Sequence, residues 1–173
     1  MNKKNIKIWA VRVILIALIL CWMTTIFGFS SADGTESSSL SDKITIRVVH
    51  WVESDYDSLS ISEQEKIFNQ VSFVVRKTGH FVEYGVLAVL WMLLLLSFEK
   101  IKKVKPYLPL MISTIICFAY AASDEFHQGF VDGRTPKIMD VCIDTLGGLV
   151  GAGFIFVLWF IIRRKNEQLG TKC

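Results

Sequence analysis

Long apolar segments alternate with polar segments along this chain. Four of them are long enough to be considered as transmembrane helices, at about residues 8–29, 79–98, 107–123 and 138–162. A bilayer core about 30 Å thick requires about 20 apolar residues in helical conformation. The pattern therefore predicts an all-α integral membrane protein, with four spans packed as a four-helix bundle in a single domain over residues 1–173.

The outer segment between the first and second spans, residues 30–78, has a pattern of its own. It opens with "SSADGTESSS", a composition typical of a flexible linker. Apolar residues then recur at helical spacing, and a second stripe starts at Ile67, after Ser60 and Glu63 at capping-box spacing. One or two amphipathic helices are predicted, although the alternation of Ile44, Ile46 and Val48 also fits a short strand.

Composition and charge distribution support a membrane location. The 173 residues are 52% hydrophobic, with a mean hydropathy of +0.45, which is too apolar for an ordinary soluble domain. The net charge of +3 does not indicate nucleic acid as a partner. Lys and Arg concentrate before the first span, between the second and third, and after the fourth. Cytoplasmic loops carry such an excess, so we expect a multi-pass protein of the cell membrane with both termini cytoplasmic.

The first span could be a membrane anchor or a secretory signal peptide. Its basic start, "MNKKNIK", fits both. The apolar run exceeds the roughly 7–15 residues of a signal core, and no clear A-x-A cleavage site follows it. We therefore expect the span to be retained.

The four cysteines have no spacing typical of a disulfide framework or a metal site. Three lie within spans, and Cys173 is the last residue. We interpret the three as small buried hydrophobic residues.

Polar residues, most of them ionisable, are predicted to converge at the outer ends of three spans. They are Arg76, Lys77, His80 and Glu83 in the second, Asp124, Glu125, His127 and Gln128 in the third, and Asp140 and Asp144 in the fourth. Arg134 lies in the loop before the fourth span. Ionisable groups in a membrane usually face the bundle interior, pair with one another and mark a functional site. Gly147 and Gly151 have small-xxx-small spacing, which predicts close packing of the fourth span.

Three motifs in order, "RKTGHFVEYGVL", "SDEFHQGFVDGR" and "DVCIDTLGG", together with "IFGFSS" near the end of the first span, resemble the VanZ-like membrane proteins. This family is named for a member associated with low-level teicoplanin resistance. The resemblance covers roughly residues 20 to 160 and implies four transmembrane helices and a role in the cell envelope. It implies no established reaction. The motif positions carried over are His80, Glu83, Asp124, Glu125, His127, Gln128, Arg134, Asp140 and Asp144.

Three functional hypotheses remain open. In the first, the protein modifies a lipid-linked or cell-wall precursor, with acid, base or orienting groups among His80, Glu83, Asp124, Glu125, His127 and Asp144. Substrate contacts would then come from Arg76, Lys77, Gln128, Arg134 and Asp140. In the second, the same site binds or shields a precursor without turnover and so gives glycopeptide resistance. In the third, the polar cluster only locks the bundle together.

A metal is a variant of the enzymatic hypothesis. His80, Glu83, Asp124 and His127 supply a mixed nitrogen and oxygen ligand set that would suit a divalent ion. No H-E-x-x-H motif is present, and no cofactor is firmly predicted. Membrane lipids are the expected surroundings, and the sequence does not indicate an oligomeric state.

Overall fold

The protein is described by a computed structural model that covers residues 3–31, 36–130 and 136–170. Six α-helices account for nearly all of these residues, and no strand occurs among them. They are α1 (Lys3–Ser31), α2 (Glu36–Val52), α3 (Ile61–Leu96), α4 (Glu99–Val104), α5 (Leu108–Gln128) and α6 (Ile138–Gly170). A short 3₁₀ turn (Tyr56–Ser58) joins α2 to α3. The predicted all-α class is therefore confirmed.

Three of these helices are long and apolar enough to cross a membrane. They span Asn5–Ser30, Ile61–Leu96 and Ile138–Gln168. Helix α5, which contains the predicted third span, is not among them. Its sequence includes Pro109 and several serines, and it ends with Asp124 and Glu125, all of which lower its hydropathy. The prediction of a multi-pass membrane protein thus rests on three helices, and the four-span bundle is not established by length and hydropathy alone.

The amphipathic helix predicted in the outer segment is confirmed as α2, whereas two other points differ. Ile44, Ile46 and Val48 lie within α2, so the strand interpretation was wrong. The stripe that starts at Ile67 does not form a separate helix, because α3 continues through it into the second span without a break. The predicted capping box is present at the start of α3, where Glu63 Oε2 accepts a hydrogen bond from the Ser60 backbone N–H at 3.1 Å.

Helix α3 occupies the centre of the molecule and packs against α6, α5, α2 and α1. Its buried residues meet small side chains from the neighbouring helices. The core includes Tyr84, Leu87 and Ala88 of α3, Cys117 and Ala121 of α5, and Ala152 of α6. The opposite faces of α1 and α6 are apolar and about half exposed, for example at Ile14 and Phe154. Such faces suit contact with lipid acyl chains.

The three cysteines in described residues have free thiols, and only Cys117 is buried. Cys21 and Cys142 lie exposed on α1 and α6. The prediction of three buried cysteines was therefore wrong for two of them, because both fall on outward helix faces. Cys173 lies outside the described residues.

Helices α3 and α6 approach each other at the level of their backbones. A Cβ atom added to Gly151 would lie 2.8 Å from the carbonyl carbon of Gly85, and one added to Gly147 would lie 2.9 Å from that of Phe81. Gly148 faces α5 instead, where a Cβ would lie 2.9 Å from the Cβ of Cys117. The predicted close packing of the fourth span is confirmed, and it leaves no room for a side chain at these positions.

Arg12 connects the start of α1 to the end of α3. Its guanidinium group donates to the Ser97 carbonyl at 2.8 Å and to Ser97 Oγ at 3.1 Å, and it lies 3.9 Å from the ring centroid of Phe98. A cation that binds the last carbonyl groups of a helix stabilises that helix end. The contact also places the N-terminal part of α1 beside the C-terminal end of α3.

We expect Gly151→Ala to lower the free energy of unfolding by about 1–3 kcal/mol, because the new Cβ would force the α3 and α6 backbones apart. Thermal unfolding of the protein purified in detergent, followed by circular dichroism, measures the effect. Gly153→Ala is the matched control, since a Cβ there meets nothing within 4 Å. Equal melting temperatures for the two variants would contradict the proposed close contact.

Candidate functional site

The predicted polar residues gather at the end of the bundle opposite the Arg12–Ser97 contact. Four helices contribute to this polar site. Ser30 comes from the last turn of α1, and the other members are Lys77, His80 and Glu83 of α3, Asp124, Glu125, His127 and Gln128 of α5, and Asp140 and Asp144 of α6. Arg76 is exposed on α3. Arg134 lies outside the described residues.

Asp124 is the best-connected carboxylate of the polar site. Its Oδ2 atom accepts hydrogen bonds from Ser30 Oγ at 2.7 Å and from Gln128 Nε2 at 3.1 Å. Gln128 also donates to Ser30 Oγ. Ser30 is fully buried and Asp124 is only 3% exposed. These bonds tie the end of α1 to the end of α5.

Two further contacts fix the start of α6. The Lys77 ammonium group lies 2.5 Å from Asp140 Oδ2, and both side chains are about one fifth exposed. Buried Glu125 accepts a hydrogen bond from the backbone N–H of Lys137, just before α6 begins. The first turn of α6 is thus held by α3 on one side and by α5 on the other.

His80 and Glu83 share a face of α3, as their spacing predicts. The distance from His80 Nδ1 to Glu83 Oε2 is 3.7 Å, and both side chains are about one quarter exposed. This distance is compatible with an ion pair if the histidine is protonated, but it is too long for a hydrogen bond. Trp22 Nε1 donates to the backbone carbonyl of Glu83 at 2.9 Å, which connects this part of α3 to α1.

The side chain of His127 packs against an aromatic ring and does not pair with Asp124. Its ring centroid lies 4.5 Å from that of Phe27, and its buried Nδ1 atom has no hydrogen-bond partner among the described residues. The helical spacing of Asp124 to both His127 and Gln128 would allow two pairs, and the structure forms the one with Gln128.

Asp144 is a buried carboxylate of the polar site and is 5% exposed. Asp140, one helical turn earlier, is paired with Lys77 and is about one fifth exposed. The two α6 carboxylates are four residues apart and share a helical face, but their exposure differs.

Three residues of this region were not predicted from the sequence. They are Ser30, Tyr84 and Tyr120. Tyr84 is fully buried, its ring centroid lies 6.0 Å from that of Tyr120, and its hydroxyl has no partner among the described residues. The Tyr120 hydroxyl donates to the Met23 carbonyl at 2.6 Å. A signal for Tyr84 did exist, because it lies four residues after His80 on the same helical face.

No three His, Cys, Asp or Glu side chains within residues 3–31, 36–130 and 136–170 are arranged to hold a metal ion. A metal at His80, Glu83, Asp124 and His127 stays a prediction.

We expect Ser30→Ala to lower the free energy of unfolding by about 1–3 kcal/mol, because the buried Asp124 carboxylate loses a hydrogen-bond donor. The melting temperature in detergent measures this loss. Ser123→Ala is a suitable control, since that exposed hydroxyl bonds to the Tyr120 carbonyl of its own helix. If both variants melted at the same temperature, the link between α1 and α5 would contribute no stability.

A family model described as VanZ/LLP1 matches residues 15–161 of the chain. Neither a curated protein nor a solved structure matches it. The matched range includes every residue of the polar site, from Ser30 to Asp144. Because the match covers most of the chain and agrees with the motif resemblance, the protein belongs to the VanZ/LLP1 family.

Proposed function

We propose that α1, α3, α5 and α6 all cross the membrane, with both termini in the cytoplasm and the polar site at the outer surface. The distribution of basic residues supports this orientation. Lys3 and Lys7 precede the first span, Lys100 follows α3, and Arg163 and Arg164 lie near the end of α6. The Arg12–Ser97 contact lies at this basic end, and the polar site lies at the other.

Helix α5 is the fourth span in this proposal. Its 21 residues extend roughly 32 Å at about 1.5 Å per residue, close to the thickness of a bilayer core. Helix α3 is longer than crossing requires, at 36 residues or roughly 54 Å. Its first turns, with α2 packed against them, would extend beyond the outer surface.

The polar site, in our proposal, binds a lipid-linked or cell-wall precursor at the outer leaflet and thereby contributes to glycopeptide resistance of the teicoplanin type. The observation that carries this proposal is the gradient of burial through the site, in which burial increases from the edge of the site to its interior. Asp124 and Asp144 are almost fully buried, whereas Lys77, His80, Glu83 and Asp140 around them are one fifth to one quarter exposed. Burying a carboxylate costs free energy. A site in which partly exposed residues surround buried carboxylates suits a ligand that enters from outside.

Binding without turnover fits the geometry better than catalysis does. A histidine that activates a nucleophile needs a hydroxyl or thiol within hydrogen-bond reach. The Ser30 hydroxyl donates to Asp124, and the Cys117 thiol donates weakly to the Tyr84 carbonyl at 3.9 Å. If the protein also modifies its ligand, the partly exposed His80–Glu83 pair is the candidate for acid–base chemistry.

A structural lock is the second candidate function. It is favoured by the contacts that join different helices, from Ser30 to Asp124 and from Lys77 to Asp140. Under this alternative, substitutions in the polar site would lower the melting temperature and the cellular phenotype together. Under the binding proposal, some substitutions would remove the phenotype and leave the fold intact.

The orientation predicts which positions a membrane-impermeant maleimide can reach in intact cells. In a background with the native cysteines replaced by alanine, we expect Glu65→Cys to be labelled before lysis and Lys100→Cys only after it. Mass shifts on a gel measure the labelling. Reversed labelling of the two positions would show that the polar site faces the cytoplasm.

We expect a host that expresses the wild-type chain to tolerate more teicoplanin than a host with an empty vector. His80→Ala and Asp144→Asn should remove this difference, because they alter the entrance and the buried end of the site. The minimum inhibitory concentration measures the effect, with membrane levels checked by blot and exposed Glu65→Gln as the control. Full resistance of both variants at equal protein level would contradict a role for the polar site.

A further inference from the structure

The most deeply buried part of the polar site has acceptors for a ligand that donates hydrogen bonds. We infer that it receives a primary ammonium group, held between Asp124, Asp144 and Tyr84. These three residues are called the inner niche below. The inference rests on the binding function proposed above and names the chemical class that enters the site.

Three helices each supply one residue of the inner niche. At the level of Ala88, Cys117 and Gly148 the helices are in contact, since a Cβ on Gly148 would meet both neighbours. Tyr84 and Asp144 lie one helical turn outward from this level, and Asp124 lies about two turns outward on α5. The Cys117 thiol lies 3.9 Å from the Tyr84 carbonyl oxygen, so α5 and α3 are also in contact here.

The hydrogen bonds of the inner niche are incomplete within the described residues. Oδ1 of Asp124 and the hydroxyl of Tyr84 are buried without a partner. Asp144 of α6 is 5% exposed. Buried polar groups in native proteins are almost always hydrogen-bonded. The two unpartnered groups, on α5 and α3, therefore indicate partners that a ligand brings.

The charge around the inner niche favours a cation as this ligand. Glu83 of α3 and the buried Glu125 of α5 add further carboxylates to the polar site. Lys77 is the one lysine or arginine of the described polar site, and it already pairs with Asp140. A water molecule could satisfy hydrogen bonds here, but a cation would in addition be attracted to the carboxylates.

An ammonium group matches the number and type of atoms available. It has three N–H donors, and Asp124 Oδ1, an Asp144 oxygen and the Tyr84 hydroxyl oxygen supply three acceptors. A quaternary amine has no N–H to donate, and an acetylated amine has no charge. The ammonium could belong to a lipid headgroup or to an amino side chain of a cell-wall precursor, and either would enter past His80 and Glu83.

Binding to the full-length protein in detergent micelles, measured by isothermal titration calorimetry, tests the inference. The first probe pair is dihexanoyl phosphatidylethanolamine and its N-acetylated counterpart. The second is Nα-acetyl-Lys-D-Ala-D-Ala and its Nε-acetylated counterpart. We expect the free amine of at least one pair to bind about tenfold more tightly than its acetylated counterpart, because the charged hydrogen bonds are lost on acetylation. The pair that discriminates identifies the source of the amine.

Variants of the niche residues test whether the preference for the free amine arises in the inner niche. Asp144→Asn should reduce it about tenfold, and Tyr84→Phe should reduce it less, since the phenol contributes one neutral acceptor. Glu65→Gln, on the exposed surface of α3, should leave it unchanged. If Asp144→Asn does not fold, as judged by circular dichroism, the isosteric Tyr84→Phe decides.

The inference is overturned if neither amine binds better than its acetylated counterpart, or if a folded Asp144→Asn protein retains full discrimination. That outcome differs from failure of the proposed function. Loss of teicoplanin resistance in the His80→Ala host without amine discrimination would leave the binding function standing with another ligand. If the protein prefers the free amine but gives no resistance, the ligand class is established and the proposed role in teicoplanin resistance is refuted.

Discussion

Direct contact between the α3 and α6 backbones is the constraint on which the polar site depends. Gly85, Gly147 and Gly151 leave no side chain between the two helices. A glycine within a helix costs about 1 kcal/mol relative to alanine, so the contact must return more than this in packing. Tyr84 and Asp144 lie next to this contact, on α3 and α6, and both are buried. A wider separation would admit lipid or water between them.

Burying carboxylates next to this contact costs free energy, and the hydrogen bonds of the polar site offset that cost only in part. Asp124 and Asp144 are both buried on neighbouring helices, where like charges repel strongly because the local dielectric constant is low. Ser30 and Gln128 satisfy one oxygen of Asp124. A purely structural network would be expected to satisfy every member, since a half-satisfied one is less favourable than an apolar core. The partial satisfaction within the described residues agrees with the gradient of burial in favouring a ligand site over a lock.

Much of this arrangement could be predicted from the sequence, and the exceptions have physical causes. Hydropathy located the long helices, and spacing located the His80–Glu83 pair and the glycine contact. The sequence did not predict that α3 would be continuous. The amphipathic stripe and the apolar run of the second span each predict a helix, but neither pattern shows whether the two helices are separate or joined. Ser30 lies in the "IFGFSS" stretch that carries part of the family resemblance, but its role was not predicted because the stretch does not show which residue the serine contacts. Periodicity also could not choose between His127 and Gln128 as the partner of Asp124.

Under the proposed topology, the fourth span and the polar site meet in α5. The carboxylates at its outer end reduce its hydropathy, and α5 is not among the helices that length and hydropathy alone identify as spans. Its buried face, with Ser113, Cys117, Ala121 and Asp124, packs against the other helices. In the proposed membrane orientation this packing would shelter Asp124 from lipid. In this view a substitution that separates the helices exposes Asp124 to the bilayer, and the site and the span are lost together.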